Sequence, residues 1–119
     1  MTVKPLSVEA VTYRDVARTI DHSLLRPELD DGFVEDGCRL AARYEVASVC
    51  VRPVDVRRAK AILAGTDVAG GTVVGFPHGS STTETKVFEA RRVADGATEL
   101  DVVIDPSSAP DAVRRPDPL

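Results

Sequence analysis

The run Thr98-Glu-Leu-Asp-Val-Val-Ile-Asp105 carries three carboxylates, Glu99, Asp101 and Asp105, interleaved with Leu100, Val102 and Ile104. Side chains two apart on a strand share a face, so the pattern predicts a buried strand with one apolar face and one face of acids around Val103. Asp95-Gly96-Ala97 just before it is a helix-stop signal, so the strand follows a helix as in a βαβ unit. Strands in such units are covered on both faces, and a carboxylate there needs a reason. On the residues alone, Asp101 reads equally as a group that transfers protons and as a structural acid that salt-bridges across the sheet.

The other reactive side chains are few. Asp21 and His22 lie near the end of a first strand, Cys50 lies in a second, and His78 follows a third. The two histidines are expected in separate loops, hydrogen-bonded, with neither the spacing nor the third histidine of a metal site, so no metal is expected. Cys38 and Cys50 are read as reduced thiols, and Cys50 as a small buried thiol without a visible activating base. Gly70 and Gly71 are placed before a strand, and no Gly-Lys-Ser/Thr follows. A phosphate loop is thereby excluded, and Gly70, Gly71, Gly75 and Gly79 are assigned to turns and close backbone approach. The lysines are Lys4, near the terminus, and Lys60 and Lys86, both expected on solvated helix surfaces.

These groups must be held by an alternating frame. Val8, Val11, Val16 and Ala17 suggest a short leading helix over 7–17 with Ser7 as a cap. A strand over 19–25 ends before Pro27, and a helix over 30–44 starts from Asp30 or Asp31 with Phe33, Val34, Cys38, Leu40 and Ala41 recurring at helical spacing. A strand over 46–51 leads into a helix from Pro53 to Leu63. A third strand over 72–76 precedes a helix over 84–95 whose stripe is Val87, Phe88, Ala90 and Val93. Regular alternation predicts class α/β with a parallel sheet. In the second strand Ala47, Val49 and Val51 share one face and Ser48 and Cys50 the other, while the first strand groups Thr19, Asp21 and Ser23. One apolar and one small or polar row favour a barrel wall over an open doubly wound sheet.

With 119 residues, 43% apolar content and a net charge of −4, the chain is the size of one domain. Fifteen basic residues against nineteen acidic ones exclude a basic field for nucleic acid. No apolar run approaches a membrane span, no signal-peptide core is seen, and a cytoplasmic location is expected.

Four segments resemble, in order, the N-terminal half of deoxyribose-phosphate aldolase, a class I aldolase with a TIM (β/α)8 barrel. They are Ile20-Asp-His-Ser-Leu-Leu25 with Arg26-Pro27; Ser48-Val-Cys-Val-Arg-Pro53; Val73-Val-Gly-Phe-Pro-His-Gly79 with Thr85-Lys-Val-Phe-Glu-Ala90; and Asp95-Gly-Ala-Thr-Glu-Leu-Asp-Val-Val-Ile104. The resemblance implies a partial TIM barrel of about four parallel strands with covering helices over 1–105. It assigns a proton-transfer role to Asp101 and places Asp21, Leu25 and Cys50 in the substrate pocket. It further implies a small phosphorylated sugar as substrate, Schiff-base chemistry with neither metal nor organic cofactor, and a catalytic lysine on later strands that this chain does not contain. Without that lysine the chain is expected to be inactive alone.

After Asp105 four prolines fall within fourteen residues, so a flexible tail is expected over 106–119. Three functions remain open: an aldolase-family polypeptide, a noncatalytic half-barrel that pairs with itself or with a partner chain, and the product of a truncated or frameshifted gene. A four-strand sheet cannot close, so a homodimer through its open edges is one expected outcome.

Overall fold

The computed structural model describes residue 5 and residues 7–108. Helix α1 (Tyr13–Ala17) leads into β1 (Asp21–Leu24), α2 (Asp31–Tyr44), β2 (Ser48–Val51) and α3 (Val56–Leu63). β3 (Ala69–Val74), α4 (Thr83–Val93) and β4 (Glu99–Val102) follow. The strands lie side by side in the order β1-β2-β3-β4, all parallel, each joined to the next through a helix. This is four-strand α/β architecture, with the parallel order and helical layer expected of a partial TIM (β/α)8 barrel.

Local chemistry sets the helix ends. Asp30 caps α2 by accepting from Phe33 N at 2.8 Å, and Glu45 ends it in the left-handed region at φ 53°. Thr82 caps α4 through Thr85 N at 3.3 Å. The expected start of the first helix at Ser7 is corrected. Thr12 Oγ1 accepts from Asp15 N while Asp15 Oδ2 accepts from Thr12 N at 2.8 Å, and this reciprocal pair sets the first helical residue at Tyr13. Pro53 opens a 3₁₀ turn, Pro53–Asp55, ahead of α3.

The core lies between the outer face of the sheet and the helices. Leu24, Val49 and Val51 pack with Val34, Cys38 and Ala41 of α2 and with Val56, Ala59 and Leu63 of α3. Three sequence expectations fail here. Gly70 and Gly71 lie inside β3, where Gly70 pairs with Val49 and Gly71 with both Cys50 and Glu99; strands on both sides impose an extended backbone that glycine would not choose alone. β4, expected to be buried, is exposed along its whole length. The stripe of α4 is largely uncovered, with Val87 43% and Phe88 67% exposed and only Val93 buried. In both cases nothing in the described chain lies beyond the last strand to cover these side chains.

Helix α4 also clasps the loop after β3. Glu89 Oε2 accepts from Gly75 N at 2.8 Å, and Lys86 Nζ donates to Gly79 O at 2.6 Å. Gly79, at φ +68°, abuts the end of β4 so closely that a Cβ there would lie 2.6 Å from the Ile104 carbonyl oxygen. The loop is thus wedged between α4 and the last strand. Pro106–Ser108 form one 3₁₀ turn; the rest of the tail expected over 106–119 lies outside the described residues.

Candidate functional site on the inner face of the sheet

Register decides which side chains meet. Asp21 is level with Ser48, Ser23 with Cys50, Cys50 with Gly71, Gly71 with Glu99, and Val73 with Asp101. All of these share the face turned away from the helices. Gly71 raises no side chain between β2 and β4, so acids from both edge strands can lean over Cys50. The carboxylate oxygens of Asp21 and Asp101 and the Cys50 sulfur lie within 4.8 Å of one another. Both carboxylates are exposed and the thiol is buried.

Ser48 fixes the first acid, donating from Oγ to Asp21 Oδ1 at 2.7 Å. Alternation in the sequence already puts Ser48 on the same face as Cys50, while its hydrogen bond to Asp21 follows from the register across the intervening helix. Cys50 is 4% exposed. Burial, and after it the negative charges of Asp21, Asp101 and Glu99, push its thiol up to about 11, so it stays protonated at neutral pH. That rules it out as a ready nucleophile. The same two acids and one thiol are the only group of three or more such ligands close enough to hold a cation among the described residues, but a metal would first have to remove the Cys50 proton.

Leu25 follows β1, half-buried, two residues beyond Ser23. His22 corrects the expectation of a loop histidine. It lies within β1, and alternation with Asp21 turns it to the outer face, beside Tyr13 and Leu40. His78 is exposed in the loop after β3. Neither histidine joins the acid cluster. Lys60, exposed on α3, donates to Asp95 O at 2.9 Å. Lys86 is half-buried and bound to Gly79 O, a correction to its expected place on a solvated surface. Both reside in the helical layer, so no described lysine stands on the inner face. The arrangement can accept and release protons at two adjacent carboxylates and can seat a small polar molecule against them. It presents no amine to a carbonyl carbon.

No family model matches the chain. It is 49% identical over 94 residues to a deoxyribose-phosphate aldolase of Rhodopirellula baltica, a match covering 78% of this chain and 39% of the relative. It is 43% identical over 93 residues to one of Clostridium perfringens, covering 77% and 42%. Among solved structures, the tetrameric deoxyribose phosphate aldolase of Aeropyrum pernix superposes with a TM-score of 0.74 at 32% identity, over 82% of this chain and 44% of that one. The aldolase QR15 superposes at 0.72 and 36% identity, over 79% and 42%. The chain thus spans about two-fifths of the length of the relatives it matches.

Proposed function

Starting from its resemblance to the N-terminal part of deoxyribose-phosphate aldolases, we propose that this chain is the carboxylate-bearing portion of an aldolase barrel. In the completed barrel the reaction is reversible cleavage of 2-deoxy-D-ribose 5-phosphate to D-glyceraldehyde 3-phosphate and acetaldehyde. Asp101 carries protons to and from the reacting carbons and oxygens, while Asp21, Leu25 and Cys50 line the sugar's pocket. The Schiff-base amine comes from outside this chain, and neither a metal nor an organic cofactor takes part. The reading rests on one observation above all: four parallel strands bring Asp21, Cys50 and Asp101, from three different strands, within 4.8 Å on one face. Carboxylates held on a shared face beside a pocket suit proton transfer because they can reach the same bound molecule.

The chain by itself is inactive in this reading. Lys60 and Lys86 spend their N–H donors on backbone carbonyls in the helical layer, far in topology from the acids. Activity follows when the remaining strands of a barrel pair with the edges of β1 and β4 and bring the amine to the inner face. The described residues contain no helix long and apolar enough to cross a membrane. The aldolase reading, and not that absence, assigns the enzyme to the cytoplasm.

Two measurements test this. Borohydride reduction with acetaldehyde should leave no covalent adduct on the isolated chain, and a stoichiometric adduct on Lys60 or Lys86 by peptide mass spectrometry would overturn the assignment. Co-expression with the part of the Rhodopirellula baltica relative that lies outside the match should yield cleavage of 2-deoxyribose 5-phosphate. Asp101→Asn should then lower kcat by about 100-fold or more. If the complemented protein turned over equally well with and without the Asp101→Asn substitution, Asp101 would be removed from the chemistry.

A further inference from the structure

Two charged side chains of α4 are spent on the backbone of a single loop. Lys86 and Glu89 stand three residues apart, on one face of the helix. Glu89 Oε2 accepts from Gly75 N at 2.8 Å, and Lys86 Nζ donates to Gly79 O at 2.6 Å. Between these two points the loop closes on itself, Gly79 N donating to Gly75 O at 2.7 Å. An acceptor on the helix thus meets the loop's first N–H and a donor meets its last carbonyl, so the turn over 75–79 is held at both ends by charge-assisted bonds.

The other side of the loop bears on the end of β4. A Cβ at Gly79 would lie 2.8 Å from Val103 Cγ1 and 2.6 Å from Ile104 O, and one at Gly75 would lie 3.4 Å from Val103 O. Both glycines have positive φ, +70° at Gly75 and +68° at Gly79, and bare backbone lies directly against the chain that leaves the strand. Val103 N donates to Val74 O at 2.9 Å, which carries the β3 pairing one residue past β4. By alternation the Val103 side chain shares the inner face with Asp101, two residues earlier. A continuous line of contacts therefore runs from Lys86 in the helical layer through Gly79 and Val103 to Asp101.

Resting on the reading that Asp101 carries protons, we propose that Lys86 and Glu89 are positioning residues: by clamping the 75–79 loop against Val103 and Ile104 they hold the end of β4, and with it the Asp101 carboxylate, beside Cys50. Neither side chain touches the reacting atoms. Their action passes through the loop, whose two glycines leave no side chain to cushion the contact.

Three variants of the full chain test this without substrate. Lys86→Met keeps an unbranched stem beside Gly75 and loses the donor. Glu89→Ala loses the acceptor, and Glu89→Gln keeps an amide oxygen that can still accept from Gly75 N. Amide exchange followed by NMR should quicken at least about tenfold at residues 101–103 in Lys86→Met and Glu89→Ala, with Ser48–Val51 unchanged and Glu89→Gln close to the unaltered chain. The second readout is the titration of Cys50, followed through carbon-13 at its Cβ, because Asp101 is one of the groups that raise this thiol. Lys86→Met and Glu89→Ala should lower its midpoint by at least about half of what Asp101→Asn does, and Lys86→Met added to Asp101→Asn should move it no further. Either variant suffices if the other fails to fold by circular dichroism. A Cys50 midpoint that none of these substitutions moves, or that Lys86→Met moves equally with and without Asp101, overturns the proposal. Loss of folding in both Lys86→Met and Glu89→Ala also overturns it, since the pair would then support the chain as a whole. Both readouts report the position of Asp101, so failure of the aldol chemistry leaves them unaffected.

Discussion

Cys50 makes the site testable without substrate. Its thiol has an ordinary value of 9.0 and is held at about 11 in the folded chain, by burial first and by Asp21, Asp101 and Glu99 after it. A raised pKa means that the folded state keeps a proton the unfolded state has already released. The associated stability is therefore fully present below pH 9 and is lost as pH rises toward 11. A shift of this size corresponds to roughly 2–3 kcal/mol, since each pH unit is worth a little over 1 kcal/mol. With a urea dependence of about 1.5–2 kcal/mol per molar, the midpoint should fall by more than about 1 M across that window through this group alone. Cys50→Ala removes the titration but leaves every tyrosine, lysine and arginine, and also Cys38, in place. The difference between the two proteins' urea midpoints from pH 8 to 11 therefore isolates Cys50. Parallel pH dependences for the two proteins would refute the assignment of a buried thiol beside three carboxylates. Asp101→Asn offers a second check, because it should move the thiol down, though by less than burial moves it up.

Other positions give independent tests. Gly79→Ala sets a Cβ against the Ile104 carbonyl at positive φ and should destabilise the chain by about 1–3 kcal/mol in urea melts, whereas an unchanged midpoint would mean the loop does not press on β4. Asp30→Ala removes the α2 cap and should lower stability by about 1 kcal/mol, with Asp30→Asn restoring most of it; equal losses for both would show that the cap's hydrogen bond to Phe33 N is not what matters.

How far the sequence carried differs element by element. The bounds of helix α2 were legible almost to the residue from a capping acid and an apolar stripe at helical spacing, but of that stripe Val34, Cys38 and Ala41 are buried while Phe33 and Leu40 are exposed. The α1 start was missed although Thr12 and Asp15 stand at the spacing of a capping box. β3 was shortened because two glycines read as a turn, whereas its extended form comes from pairing on both sides. For β4 the alternation correctly gave a strand, and its burial was misread because an apolar row tells what a face prefers to meet, not whether this chain supplies it. His22 was misassigned for a similar reason. The end of β1 is not marked by any residue before Pro27, so strand and loop were not separable there. Alternation on each strand already sets Asp21, Ser48, Cys50 and Asp101 in one polar row, but the approach of Asp21, Cys50 and Asp101 to within 4.8 Å is a product of register, which loop and helix lengths set and local patterns do not.

The cluster joins acids on the two edge strands to a thiol on an inner one, and these strands differ in durability. β2 and β3 are paired on both sides, and Val49, Val51 and Val74 are almost wholly enclosed, so their amides should exchange with deuterium most slowly. β4 hangs on one neighbour with all its residues exposed, and its amides should exchange by a local fraying far cheaper than global opening. Such fraying would carry Asp101 away from Cys50 while the hydrophobic interior stayed intact. The geometry of the site is therefore governed by the least protected strand, and a partner that pinned β4 would sharpen that geometry before it added any atom of its own to the chemistry.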